Sequence, residues 1–322
     1  MLLTVLCILL TSCASNTEAD NKAYVVAIGI DENKNHGFDY TFQYALPLNI
    51  SKSEDEPLTC KTVSSTNIYS ACDMFNADIS KEINLSHLKL IVFNESLAFN
   101  GLESFKPMLL SNTEILPSAC ITISKTDAKD YLENVSSPLE LNPAKYYNFA
   151  FDEKNSPFSE AFYITNFFEK SDYVIPFTDE GAVVFKNHKA ISTLEENELP
   201  YYKLLAGTMN KFTIDFTARG FSCVITQRKK PFIKVDKNNL NVFITLYLKQ
   251  ELLGSPPKNA NTLVETKIKQ KCLNIIKKSQ KKNADILNIK AAFRPQFLTL
   301  PQYEAFDFQQ KYPEIYFDVL IK

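Results

Sequence analysis

The chain has 322 residues, of which 45% are hydrophobic, so it can bury the cores of two or three domains and is not a disordered protein. Its 7 glycines and three arginines argue against glycine-rich phosphate loops and bidentate arginine clamps. Residues 1–180 hold 12 basic and 25 acidic side chains, whereas residues 181–322 hold 23 basic and 12 acidic ones. This asymmetry predicts domains with different neighbours. Two interpretations of the basic half stay open: it faces anionic lipid or an acidic protein surface, or its lysines form ordinary solvated faces.

The chain begins with an apolar run, Met1 to Cys13, that is shorter than the roughly 20 apolar residues of a membrane-spanning helix. Its length suits the apolar region of an export signal, although no Lys or Arg precedes it. The run ends in Leu10-Thr11-Ser12-Cys13, the Leu-x-small-Cys pattern at which bacterial lipoproteins are processed. We therefore expect a signal peptide over residues 1–12, a lipid on the Cys13 thiol and a polar tether over residues 13–22. A trimmed secretory signal and a first buried strand of a cytosolic protein are the alternatives.

Besides Cys7, which leaves with the signal, and Cys13, the chain has an odd number of widely spaced cysteines. They are Cys60, Cys72, Cys120, Cys223 and Cys272. This spacing predicts free, buried thiols rather than a disulfide framework or a zinc site.

The N-terminal region alternates strand and helix patterns. Ala23–Ile30 is almost continuously apolar and predicts a strand covered on both faces. The alternation from Phe38 to Tyr44 predicts its hairpin partner, with one solvent-exposed face. The elements predicted next are a polar loop at Lys52–Cys60, helices at Thr66–Ile79 and Leu102–Leu110, strands at Leu88–Phe93 and Ala119–Ile123, a helix capped by Asn94, and a helix from Thr126 or Asp127 to Val135.

In the middle of the chain, Pro138 and Pro143 predict a linker. The predictions that follow are a helix spanning Phe158, Ala161, Phe162, Phe167 and Phe168, a hairpin of Gly181–Phe185 and Lys189–Ser192 that turns at Asn187-His188, and a helix up to Ala206 opened by a capping box of Thr193 and Glu196.

The last third predicts a β-sheet covered by one long helix. Its strand-like runs are Lys211–Thr217, Phe221–Gln227, Phe232–Val235, Leu240–Glu251 and Ile315–Ile321. Between the last two lies a helix from Asn261 to Asn283, whose apolar stripe is Val264, Ile268, Cys272, Ile275 and Ile276 and whose other faces are rich in lysine.

The sequence offers no catalytic, cofactor or metal site. The three histidines, His36, His87 and His188, lie in predicted turns or before a strand and have no ligand at metal-binding spacing. Asp31-Glu32 beside His36 is typical of a solvated hairpin tip, and Glu195, Glu196 and Glu198 suit the start of a helix. Walker A, Gly-x-Ser-x-Gly and calcium-loop motifs are absent, so we predict that the chain is not an enzyme.

Several segments resemble the Ger(x)C lipoproteins, the C subunits of nutrient germinant receptors of endospore-forming bacteria. The resemblance rests on the lipobox at Cys13, Gly29-Ile30-Asp31, the block from His87 to Leu102, Gly181–Lys186, Leu204–Gly207 and Ala284-Asp285-Ile286-Leu287. The chain lacks the Trp-Asp pair that family members usually carry after the lipidated cysteine, and its Phe293–Leu300 stretch is atypical.

The resemblance implies a non-enzymatic, membrane-anchored subunit that joins the integral-membrane A and B subunits on the outer face of the cell membrane, at the spore's inner membrane. There it takes part in receptor assembly or signalling during germination, without cofactor or nucleic acid. A lipid-anchored extracellular solute-binding protein or hydrolase is the alternative. Lys277, Lys278, Lys281 and Lys282 are the candidate surface for the partner subunit or for anionic lipid.

We expect an α+β fold: an elongated multi-domain protein of mixed sheets packed with helices. The expected division is an N-terminal α/β domain at 23–137, a middle domain with linker at 138–207, and a C-terminal antiparallel sheet with the long helix at 208–322.

Overall fold

Three β-sheets carry the fold in the computed structural model, which describes residues 21–35, 37–45, 58–134, 147 and 162–322. The strands are β1 Lys22–Asn33, β2 Gly37–Ala45, β3 Thr59–Ser65, β4 Glu82–Asn84, β5 Leu90–Asn94, β6 Cys120–Ser124, β7 Asp172–Pro176, β8 Ala182–Lys186, β9 Lys189–Leu194, β10 Lys211–Phe216, β11 Phe221–Asp236, β12 Asn241–Gly254 and β13 Tyr316–Ile321. The α-helices are Ile68–Ile79, Glu95–Asn100, Lys106–Ser111, Ala128–Asn134, Ile164–Glu169, Leu199–Ala206, Ala260–Lys281, Ile289–Phe293, Leu300–Glu304 and Phe308–Lys311. The predicted α+β class is confirmed.

The N-terminal sheet has the strand order β3-β2-β1-β5-β6, and β4 pairs with β1. β1 and β2 form the predicted antiparallel hairpin, while β5 and β6 pair in parallel after helical crossovers. Asn67 caps the helix Ile68–Ile79 through its side chain, and Asn94 caps the helix Glu95–Asn100 as predicted. β3 begins inside the predicted loop, because its polar, half-buried residues lie at the sheet edge and lack an apolar pattern.

The second face of β2 is buried, so the predicted solvent-exposed face is wrong. Thr41 is 0% exposed and Gln43 is 4% exposed. The Gln43 side-chain amide donates to the Leu132 carbonyl at 2.9 Å and accepts from the Tyr147 hydroxyl at 2.6 Å. The helix Ala128–Asn134 therefore covers the polar side of the sheet, and hydrogen bonds satisfy the polar groups that it buries.

Gly29 and Asp31 of β1 let this helix approach the sheet. A Cβ on Gly29 would lie 3.1 Å from Leu132 Cδ1. The Asp31 carboxylate accepts from the first two N–H groups of the helix Ala128–Asn134 at 2.7 and 3.0 Å. Burial raises the pKa of Asp31, and these two bonds oppose the rise. The solvated tip predicted at Asp31 is wrong, because β1 continues to Asn33 and the carboxylate meets a helix N-terminus.

The middle sheet, of order β7-β8-β9, contains the predicted hairpin. Asn187 and His188 both have positive φ (49° and 61°), as the residues of a tight two-residue hairpin turn require. β7 escapes the sequence pattern. The aromatic helix before it is shorter than predicted: Phe162 precedes the helix Ile164–Glu169, because Tyr163 forms a β-bridge with Cys120. Phe158 and Ala161 of that prediction, like Pro138 and Pro143, lie outside the described residues.

The capping box before the helix Leu199–Ala206 lies two residues later than predicted. Thr193 is still paired within β9, so it cannot cap a helix. Instead, Glu195 and Glu198 form the reciprocal box: the Glu195 N–H donates to Glu198 Oε2 at 3.0 Å.

The C-terminal sheet has the order β10-β11-β12-β13. The predicted antiparallel pairing holds for β10 to β12 and is wrong for β13, which pairs in parallel with β12. A parallel partner follows from the long crossover helix between the two strands. The predicted runs Phe221–Gln227 and Phe232–Val235 form one strand, β11, whose register shifts at Lys229 accommodate the interruption.

Two large cores share the middle sheet as a common wall. Tyr173, Ile175, Val183 and Phe185 pack with the N-terminal sheet and its helices. The alternating neighbours pack with the C-terminal sheet and the long helix; they are Val174, Ala182, Val184 and Leu194. Both faces of this sheet are therefore buried, and each of the two cores is closed by the same strands.

Candidate functional site

The helix Ala260–Lys281, called here the long helix, carries the predicted lysine residues. Its apolar stripe faces the C-terminal sheet, and Val264, Ile268 and Cys272 are each 0% exposed. Ile275 and Ile276 are 1% exposed, so the predicted stripe is confirmed in full. Packing of one face leaves the remaining faces of the helix to water or to a partner.

The four lysines Lys277, Lys278, Lys281 and Lys282 are all exposed and are called here the lysine surface. They lie in and directly after the last turn of the long helix, where positive charge opposes the partial negative charge of the helix C-terminus. The structure therefore brings together the residues that the sequence singled out.

Lys278 differs from the other three because it is engaged within the chain. Its Nζ lies 2.5 Å from Glu198 Oε1, and the Glu198 side chain is only 10% exposed. The other oxygen of Glu198 closes the capping box with Glu195. Lys278 thus neutralises a mostly buried carboxylate, whereas Lys277, Lys281 and Lys282 form no ion pair within the described part of the chain.

The lysines nearer the start of the long helix are bonded as well. Lys267 donates to the Asp215 carbonyl at 3.1 Å and lies over the Phe216 ring. Lys269 pairs with Asp318 of β13 at 2.6 Å. The lysines with free charge are therefore concentrated at the C-terminal end of this helix.

A cleft of about 450 Å³ lies where the middle sheet meets the C-terminal helices, and the sequence patterns do not reveal it. Asp172 and Asp285 both line it. The Asp285 N–H donates to Asp172 Oδ2 at 2.7 Å, and the Asp285 carboxylate accepts from the N–H groups of Ile289 and Lys290 at 2.8 and 2.7 Å. Burial, with the neighbouring Asp172 charge, raises the pKa of Asp285 to about 6. The two aspartates are 113 positions apart in the sequence, so no local pattern predicts their contact. The sequence singles out Asp285 only as part of the Ala284–Leu287 segment.

The described histidines serve packing. His87 packs edge-on against Tyr24, with ring centroids 5.1 Å apart. His188 Nδ1 lies 2.8 Å from the Tyr173 hydroxyl, and its Nε2 lies 3.4 Å from Glu103 Oε2. His36 lies outside the described residues. Within the described ranges, no group of three or more His, Cys, Asp or Glu could hold a metal ion.

The described cysteines are free thiols, as predicted. Cys223 and Cys272 are buried, while Cys60, Cys72 and Cys120 are only half-buried. Burial raises the pKa of Cys60 to about 11 and that of Cys72 to about 12, which makes these thiols poor nucleophiles. Cys13 lies outside the described residues. Among the helices that the structure describes, none is long and apolar enough to cross a membrane.

Comparison with known families gives two adjoining matches. The family described as "Spore germination protein N-terminal domain" matches residues 15–176, and "Spore germination B3/GerAC like, C-terminal" matches residues 180–322. Together they account for nearly the whole chain.

Individual relatives agree. Spore germination protein KC of Bacillus subtilis strain 168 is 25% identical over 171 residues, which are 51% of this chain and 40% of that protein. YfkR of the same organism is 28% identical over 151 residues, 44% of this chain and 38% of that protein. The chain thus matches about two fifths of the length of these curated relatives. The crystal structure of the GerBC protein has a TM-score of 0.55 at 18% identity, covering 91% of this chain and 95% of that one, which shows a shared fold.

Proposed function

The chain belongs to the GerAC-like family of spore germination proteins, and from this premise we propose that it is the C subunit of a nutrient germinant receptor. The observation that carries the proposal is that the two family domains lie end to end over residues 15–176 and 180–322. Proteins of this family are receptor subunits and not enzymes, so the hydrolase alternative is set aside.

The proposed location is the outer face of the cell membrane, at the spore's inner membrane, with a lipid on Cys13 as the anchor. The lipobox that ends at Cys13 and the polar stretch after it support this anchor. A buried acyl chain contributes about 0.8 kcal/mol per CH₂, so two chains on one cysteine hold a protein stably at a bilayer.

The proposed partners are the integral-membrane A and B subunits, and the proposed contact is the lysine surface. Lys277, Lys281 and Lys282 support it, because they are exposed and form no ion pair within the described part of the chain. The net basic charge of residues 181–322 favours an acidic partner or anionic lipid headgroups.

The anchor is tested by Cys13→Ala, with Cys7→Ala as the matched control in the same leader. We expect Cys13→Ala to move the protein from the membrane fraction to the soluble fraction and to abolish receptor-dependent germination, because the acyl chains have no attachment point. Cell fractionation and a germination assay measure the two effects. A Cys13→Ala strain that keeps the protein on the membrane and germinates normally would refute the anchor.

The lysine surface is tested by replacing Lys277, Lys281 and Lys282 with Glu. The matched control replaces Lys34, Lys189 and Lys258, three exposed lysines that lie outside the long helix. We expect the first variant to lose tenfold or more in co-purification of the membrane subunits, since about 1 kcal/mol is at stake for each charge near an oppositely charged surface. Lys278 stays unchanged because it supports Glu198. Equal co-purification by both variants would contradict the proposed contact.

A further inference from the structure

A short apolar segment of the C-terminal half, Phe297–Leu300, is called here the leucine tip. Leu298 is 93% exposed and Leu300 is 52% exposed. Single exposed leucines are ordinary on protein surfaces. Two of them within four residues, at the point where the chain passes from one short helical turn to the next helix, are less ordinary.

The leucine tip is held in one conformation from both sides. On its N-terminal side, Arg294 Nη1 donates to the Phe297 carbonyl at 3.2 Å. On its C-terminal side, the Thr299 side chain accepts from the Gln302 N–H and caps the helix Leu300–Glu304. Hydrogen bonds therefore constrain the backbone on both sides of Leu298, whose side chain lies in solvent.

Beneath the leucines lies a cluster of aromatic rings. Phe297 is half-buried, and its ring centroid lies 5.6 Å from that of Tyr303 and 5.1 Å from that of Phe306. Phe306 in turn stacks on the buried Phe293 at 5.3 Å. These rings join the tip to the C-terminal core.

A basic side chain makes a cation–π contact with each of the rings of Phe297, Tyr303 and Phe306. Lys237 lies 4.8 Å from the centroid of Phe297, Arg294 lies 5.6 Å from that of Tyr303, and Lys311 lies 5.6 Å from that of Phe306. Lys237 also donates to the Gln296 carbonyl at 2.8 Å, which fixes it beside the tip. The neighbouring acids are Asp236, Glu304 and Asp307. The Asp236 carboxylate accepts from Asn238 and Asn239, and Asp307 accepts from the Gln310 N–H.

We propose that the leucine tip inserts into the interfacial region of a membrane containing anionic lipid, as a second point of attachment distinct from the Cys13 anchor. Leu298 and Leu300 would enter the acyl boundary, while Lys237, Arg294 and Lys311 would meet the phosphates. Exposed apolar side chains next to aromatic rings that hold cations match the layered polarity of that boundary. The cations held on the rings favour anionic over neutral headgroups.

The sequence contains no tryptophan, so one substitution gives a specific reporter. Leu298→Trp is compared with Leu110→Trp, which places the same probe at a 64% exposed leucine of the N-terminal part. Each full chain is mixed with an excess of vesicles of phosphatidylcholine and phosphatidylglycerol, with or without brominated acyl chains, which quench a tryptophan that reaches them. We expect a blue shift and at least twofold quenching for Leu298→Trp, and neither for Leu110→Trp.

Three further measurements test whether the tip recognises anionic lipid rather than neutral lipid or free phosphate. Vesicles of phosphatidylcholine alone should reduce the quenching, and so should Lys237→Glu, whereas added free phosphate should not compete. The mass of the Cys13 peptide reports the anchor independently, so its failure does not affect the readout at position 298. The proposal is overturned if the Leu298→Trp chain keeps its fold by circular dichroism but, with the anionic vesicles, emits as it does without them. The tip would then be a surface for a protein partner.

Discussion

His188 shows how a polar residue joins the N-terminal part to the middle sheet. The residue is 7% exposed, and its backbone carbonyl accepts from the Leu102 N–H at 2.8 Å. Its ring packs against Phe167 with centroids 4.7 Å apart. Burial lowers the pKa of His188, nearby Lys106 lowers it further, and Glu103 opposes both. The neutral imidazole is therefore the form that the fold stabilises.

This predicts a pH dependence of stability that belongs to His188. Because the folded-state pKa lies below the ordinary value of 6.5, the contribution is present above pH 6.5 and is lost as the pH falls below it. His188→Asn keeps a residue that tolerates positive φ, but it cannot take up the proton. We expect the variant to be less stable by about 1–3 kcal/mol at pH 7 through the disturbed bond to Tyr173.

The measurement is urea unfolding of wild type and His188→Asn between pH 5 and 7, compared as a difference at each pH. The comparison is needed because Asp285, whose pKa is raised to about 6, contributes with the opposite sign in the same range. A constant difference across the range would mean that His188 does not titrate in this window.

At the scale of elements, the apolar patterns predict the helices and strands that bury one apolar face. The long helix was predicted because its stripe repeats at helical spacing, and the hairpin at Asn187-His188 because turn residues separate two apolar runs. β3 and the polar face of β2 could not be predicted, since their residues look solvated until a distant helix covers or pairs them. Polar composition alone predicts exposure, whereas hydrogen bonds to Leu132 and Tyr147, which are 89 and 104 positions away, satisfy Gln43 inside the protein.

The same limit applies to the candidate site. The apolar stripe predicts that these lysines lie on the exposed side of the long helix, and they do. It could not show that Lys278 pairs with Glu198, which is 80 positions away, and a partner contact stays a proposal. Nor could it show the hydrogen bond from the Asp285 N–H to the Asp172 carboxylate. Local spacing reports which face of an element is apolar, whereas the pairing of charges depends on how the elements meet.

At the scale of the whole molecule, the middle sheet couples the two large cores. Phe185 is fully buried on the N-terminal side, and Val184 is 3% exposed on the C-terminal side of the same strand. The division at 23–137, 138–207 and 208–322 stays a prediction, and the shared wall makes independent unfolding of these parts costly.

We therefore expect Phe185→Ala to weaken both end sheets. The lost ring costs about 3–5 kcal/mol. Hydrogen exchange of the amides of Ile28 in β1 and Leu246 in β12 should then accelerate by similar factors, because both open only when the common wall opens. Val184→Ala, on the opposite face, should give the same pattern with a smaller amplitude. Acceleration at Ile28 with an unchanged rate at Leu246 would show that the two cores are independent.

The turn between β7 and β8 separates the two regions of family similarity, which end at residue 176 and begin at residue 180. Yet β7 belongs to the first region while β8 and β9 belong to the second, and all three pair in one sheet. In a chimera spliced here from two relatives, the three-stranded middle sheet would combine β7 of one parent with β8 and β9 of the other. We expect such a chimera to fold only when β7 of one parent packs and pairs with β8 of the other.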